Sequence, residues 1–113
     1  MDTNTTYDTI LLELRRGMLI LAVLSQLEHE EYGYSLLTRL SEGGLEIDQG
    51  TLYPLMRRLE SQGLLESDWR IAEARPRRYY KLSPQGRQAL AALTDEWRRL
   101  NQVMEGLLGS GGQ

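Results

Sequence analysis

A chain of 113 residues with 41% apolar and 26% charged side chains has the size and composition of one soluble globular domain with a modest core. There is no cysteine and one histidine, His29, so disulfides, thiolate metal sites and cysteine nucleophiles are excluded. The net charge of −3 is unevenly spread: residues 49–81 hold Arg57, Arg58, Arg70, Arg75, Arg77, Arg78 and Lys81 against Glu60, Glu66, Asp68 and Glu73. A basic patch on an acidic body is the footprint of local polyanion binding.

The N-terminal MDTNTTYDT is polar and acidic, without the basic start of a signal peptide. The longest apolar run, 18–24, is too short to span a bilayer, so a cytoplasmic protein with no membrane partner is expected. Residues 1–6 read as a frayed end. From Tyr7 to Leu27 the pattern is helical and apolar on more than one side, which requires more than one packing partner. Gly17 interrupts it and marks either a bend or a close helix contact. The run Glu28-His29-Glu30-Glu31 reads as a solvated loop, and no metal is expected there. No Ser-His-Asp set, phosphate-binding glycine loop or HExxH motif occurs. The chain reads as a non-enzyme without a cofactor.

Gly33, Leu36, Leu37 and Leu40 give a short helix stopped by Gly43-Gly44. The stretch QGTLYPLMRRLESQG, residues 49–63, follows, with Asp48 as its N-cap and Gly63 at its end. Leu52, Leu55, Met56 and Leu59 form its apolar stripe, and Gly50, Tyr53, Pro54 and Arg57 lie opposite. Small residues at the start of such a face allow close approach to a major groove, where Arg reaches base edges or phosphates. Pro54 removes a backbone donor, so either the helix begins late or its first turn is irregular. Two helices joined by a short turn make a helix-turn-helix.

Leu65, Trp69 and Ile71 alternate with Glu66, Asp68 and Arg70 as in a strand. Residues 72–76 read as a loop and 77–82 as a second strand. The result is a basic-tipped hairpin, the 64–82 wing, with Arg75, Arg77 and Lys81 near phosphates. A hairpin with merely solvated charges is the alternative. Ser83 and Pro84 then start a long helix. Leu90, Leu93, Trp97, Leu100, Met104 and Leu107 fall at alternating steps of three and four, a heptad seam. The hairpin and three helices cannot cover so long a helix, so a two-fold homodimer is expected; the alternative is a lone helix docked along its own domain. The fold expected is mainly α with a small β-hairpin. It comprises a winged helix-turn-helix domain with an N-terminal helix (1–83), a dimerisation helix (84–108) and a flexible tail (109–113).

These residues resemble the PadR-like family of bacterial transcriptional regulators over nearly the whole chain. The resemblance rests on LRRGMLILAVLSQL, YGYSLLTRL, QGTLYPLMRRLESQGLLES and ARPRRYYKLSPQGRQAL. The single C-terminal helix is similar to the smaller subfamily, which lacks a larger helical effector domain. The resemblance implies a dimeric winged-helix protein that binds double-stranded DNA, usually as a repressor. It places helix 49–63 in the major groove, with Gln49, Thr51, Tyr53 and Arg57 toward DNA and Arg75 and Arg77 on the wing; Arg58 and Lys81, read from the charge pattern, complete the candidate DNA contacts. Asp48 departs from the small hydroxyl residue common there and is assigned to capping. Some small members bind flat aromatic compounds at the dimer centre, which makes Trp97 a candidate ligand contact; a tryptophan in the seam is also well explained as packed dimer core alone. A multidrug-type ligand sensor controlling an efflux gene and a winged-helix protein-interaction module without DNA binding remain the alternatives.

Overall fold

In the computed structural model, which describes residues 3–109, the chain forms α1 (Thr3–Ser25), β1 (Glu31–Tyr32), α2 (Gly33–Glu42), α3 (Gln49–Ser61), β2 (Leu65–Ala72), β3 (Arg75–Leu82) and α4 (Pro84–Leu108). The expected mainly helical winged helix-turn-helix is present, with α2 and α3 as its helix pair. Residues 110–113 of the expected tail lie outside the described residues, and Gly109 ends α4 in a left-handed conformation (φ 71°).

Local chemistry sets the element ends. The Asp48 carboxylate accepts from Thr51 N (2.8 Å) and caps α3. Gly63 (φ 86°) turns the chain after α3 in a conformation open to glycine. The Ser83 hydroxyl accepts from Gly86 N (2.9 Å) and donates to Gly63 O (2.7 Å). The start of α4 is thereby bound to the end of α3. One core gathers the apolar stripes: Val23 and Leu24 from α1, Leu27 just after it, Leu36 and Leu40 from α2, Leu52, Met56 and Leu59 from α3, and Leu65, Tyr80 and Leu82 from the sheet. From α4 only Gly86 is buried and Leu90 packs on this core.

Four expectations are corrected. Helix α1 starts at Thr3 rather than Tyr7, and it runs unbroken through Gly17, which has open space around it. Helix α3 is continuous across Pro54; the proline forgoes one bond to the preceding turn and the helix survives on its packed stripe. Glu31, assigned to a loop, belongs to β1, which pairs with β3 through Glu31↔Tyr80 and Tyr32↔Tyr79. The sheet thus has three strands in the order β1-β3-β2. Finally, the wing loop is shorter than 72–76: Ala72 pairs with Arg75, so only Glu73 and Ala74 turn the chain.

Both turn residues have positive φ (54° and 67°). That is the two-residue turn whose hand matches the strand twist, but it favours Asn-Gly over Glu-Ala. The double substitution E73N/A74G should therefore raise stability by about 1 kcal/mol. Urea denaturation reads this as a higher midpoint, and an unchanged midpoint would contradict the account of the turn.

Candidate nucleic-acid interface

Helix α3 buries Leu52, Met56 and Leu59 and leaves Gln49, Gly50, Thr51, Pro54, Arg57 and Arg58 exposed. Two of these six are cationic, and none is acidic. The neighbouring Asp48 carboxyl is held below its ordinary pKa by the hydrogen bonds from Thr51. It stays charged and committed to the cap. Tyr53, expected on the outer face, is half-buried and packs against the core. A Cβ added at Gly33 would lie 2.5 Å from the Tyr53 ring; glycine at the start of α2 is what lets the two helices approach here. Burial pushes the Tyr53 phenol above its ordinary pKa.

The arginines of the wing are not equivalent. Arg70 is bound by Glu30 and Asp68 and lies over the Tyr79 ring (4.9 Å). This contact raises the Arg70 pKa and lowers that of Glu30. Arg77 stacks on Tyr32 (4.3 Å) and meets Glu73 at 3.5 Å, so its side chain is only 20% exposed. Tyr32 and Tyr79 meet edge to face (5.5 Å), completing a ladder of rings and guanidinium groups on the outer side of the sheet. Arg78 donates to Ser67 Oγ (2.9 Å) and Glu60 Oε1 (2.9 Å), and Ser67 donates to Glu60 Oε2 (2.6 Å). This half-buried network joins the last turns of α3 to both wing strands and fixes the angle between helix and wing. Arg75 and Lys81 are exposed and make no ion pair among the described residues.

Between α3, the start of α2 and the wing runs an open groove of about 760 Å³. Arg57, Arg75, Arg77 and Arg78 line it together with Tyr34, Tyr53, Trp69 and Pro76, and no carboxylate does. In a chain with 16 acidic residues, an acid-free surface of this size is a place for a polyanion. The structure thus brings Tyr53, Arg57, Arg75 and Arg77 to one groove. Gln49, Thr51 and Arg58 lie elsewhere on α3, and Lys81 is not in the lining. Tyr34 and Trp69 were not among the sequence candidates. Strand alternation placed Trp69 beside Leu65, but that it overhangs a groove depends on where the core ends.

A second exposed surface lies along α1 and α4, which touch each other. Leu93, Trp97, Leu100, Met104 and Leu107 are all exposed, Leu107 to 76%, as are Tyr7, Ile10 and Leu14 on α1. Leu90, the first residue of the expected seam, is half-buried in its own domain. Near Trp97 the Glu96 carboxylate is bound to Arg99 (2.8 Å), which lowers its pKa. No described helix is long and apolar enough to cross a membrane.

Residues 20–92 match the family model described as the transcriptional regulator PadR-like family. The chain is similar to the transcriptional regulator Rv3488 of Mycobacterium tuberculosis, with 39% identity over 98 residues, 86% of this chain and 89% of that protein. Its fold is similar to the crystal structure of a PadR family transcriptional regulator from Eggerthella lenta (TM-score 0.85, 42% identity, 96% of each chain). It is also similar to the X-ray structure of a PadR-like transcription factor from Bacteroides fragilis (TM-score 0.75, 32% identity, 88% of this chain and 98% of that one). The chain belongs to the PadR-like family: it is a winged-helix transcriptional regulator of the DNA-binding kind, and not an enzyme.

Proposed function

We propose that this protein is a cytoplasmic homodimeric repressor that binds an inverted-repeat operator through α3 and the wing. The observation that supports this most is the acid-free groove with Arg57 and Arg75 on its two sides. Helix α3 enters the major groove, where Gln49, Thr51, Arg57 and Arg58 meet base edges and phosphates. Arg75, Arg77 and Lys81 add phosphate contacts, Arg77 by leaving Glu73 for a stronger anion. Two subunits joined along Leu93, Trp97, Leu100, Met104 and Leu107 of α4, with the exposed face of α1, place two α3 helices about one helical turn of DNA apart. The support for this assembly is the exposed apolar face of α1 and α4. The domain boundaries follow the same division: residues 1–83 form the DNA-binding domain, whose α1 also lends a face to the seam, and 84–108 form the dimerisation helix.

Neutralising Arg57, Arg75 and Arg77 together tests the DNA interface. Operator affinity should fall by roughly 100-fold or more at low salt, and the slope of log affinity against log salt should flatten by about two to three. An unchanged slope would mean that these residues do not meet phosphates, as expected of a protein-interaction module.

Regulation extends this reading. A flat aromatic effector stacked between two copies of Trp97 would release DNA by favouring a different spacing of the wings. The exposure of Trp97 (42%) within the apolar seam supports it. A compound that saturates the protein and leaves operator affinity unchanged is not such an effector.

A further inference from the structure

The two walls of the groove differ in chemistry. The helical wall presents Tyr34, Tyr53 and Arg57, and the wing wall presents Trp69 and Pro76 beside Arg75, Arg77 and Arg78. Trp69 is 64% exposed, and one anchored group lies beside it. The Arg78 guanidinium lies 5.8 Å from its ring, and Glu60 and Ser67 hold that guanidinium in place. Next along the same face of the wing come Ile71, 81% exposed, and its cross-strand partner Pro76. The wing wall thus sets an exposed apolar face, Trp69 and Pro76, among its arginines, opposite Arg57 and the hydroxyls of Tyr34 and Tyr53. Arg57 and Arg75 have no carboxylate partner among the described residues.

The occupant must offer negative charge to both walls and an apolar surface to Trp69 and Pro76. A sugar–phosphate strand does so along its whole length, with phosphate oxygens outward and deoxyribose rings between them. We propose that Trp69 is a DNA-contacting residue. One strand bordering the major groove runs between α3 and the wing, its phosphates toward Arg57, Arg75 and the Tyr34 hydroxyl, its deoxyribose rings on Trp69 and Pro76. This rests on the reading that α3 enters the major groove, and it adds an affinity component that is neither electrostatic nor sequence-specific. Burying the indole against sugar is insensitive to salt and to base identity.

The test is fluorescence anisotropy of the full chain on operator and random duplexes over a series of salt concentrations, with W69A, W69F and R75A beside the wild type. W69A should weaken binding to both duplexes by about tenfold with the salt slope unchanged. W69F, which keeps an aromatic face, should stay close to wild type. R75A should reduce the slope by about one. Wild-type tryptophan emission should change on DNA addition, and most of that change should be lost in W69F. Equal affinity of W69A and wild type would overturn the proposal while leaving the DNA reading intact, and so would a W69A defect confined to the operator. A wild type that binds neither duplex would overturn both.

Discussion

Replacing Gly86 by alanine is expected to destabilise the chain by about 3 kcal/mol or more. A Cβ at this position would lie 2.0 Å from the Leu64 carbonyl oxygen and 3.2 Å from Leu82 Cδ2. The first obstacle is backbone, which cannot rotate away as a side-chain tip can. The helix cannot retreat either. Ser83 N donates to Leu64 O (3.1 Å), the Ser83 hydroxyl donates to Gly63 O, and Leu82 N donates to Leu27 O (2.9 Å). Relieving the clash means opening the place where α1, the end of α3 and the start of α4 are tied together. Urea denaturation should show a midpoint far below that of the wild type. A midpoint within error of wild type would refute the claim that this crossing is a rigid joint.

The second large effect concerns the proposed seam. The double substitution L100D/M104D should yield a monomer by sedimentation and reduce operator affinity by roughly 100-fold or more. Both side chains are nearly half exposed in the single chain, at 45% and 47%, so charge there costs the isolated fold little. In a two-fold seam the same charges face their own copies across a water-excluded surface, where like charges repel strongly. Once the subunits separate, each half-site is bound alone and the gain from simultaneous engagement is lost. A double variant that stays dimeric with wild-type operator affinity would move the interface elsewhere, onto α1 or the groove face.

These two effects act on elements that the sequence reveals unequally. The stripe of Leu52, Met56 and Leu59, the Asp48 and Ser83 caps and the Gly63 turn are local patterns, and helical periodicity and capping chemistry are enough to place them. The exposed apolar stripe on α4 is legible for the same reason, as alternating steps of three and four along one helix. What escapes is tertiary. Strand β1 has two residues and no periodicity, and it exists because β3 offers an edge to it. The wing turn has no glycine to announce it. The wing arginines look alike in a charge count, yet Arg70 is bound by Glu30, 40 residues away, and Arg78 by Glu60. Counting charge therefore overstates what the wing offers to phosphate and misses the network that sets its angle. Tyr53 was placed on the outer face by helical geometry and is half-buried because the start of α2 leans on it through Gly33.

The most direct test of the central claim is anisotropy of the wild-type chain on the duplex upstream of its own gene, against a scrambled duplex, at two salt concentrations. A repressor docked through α3 and the wing should bind the upstream duplex at least about 1,000-fold more tightly, with affinity falling steeply as salt rises. Absence of binding to either duplex at low salt would contradict the account and leave the groove as a site for an anionic protein partner.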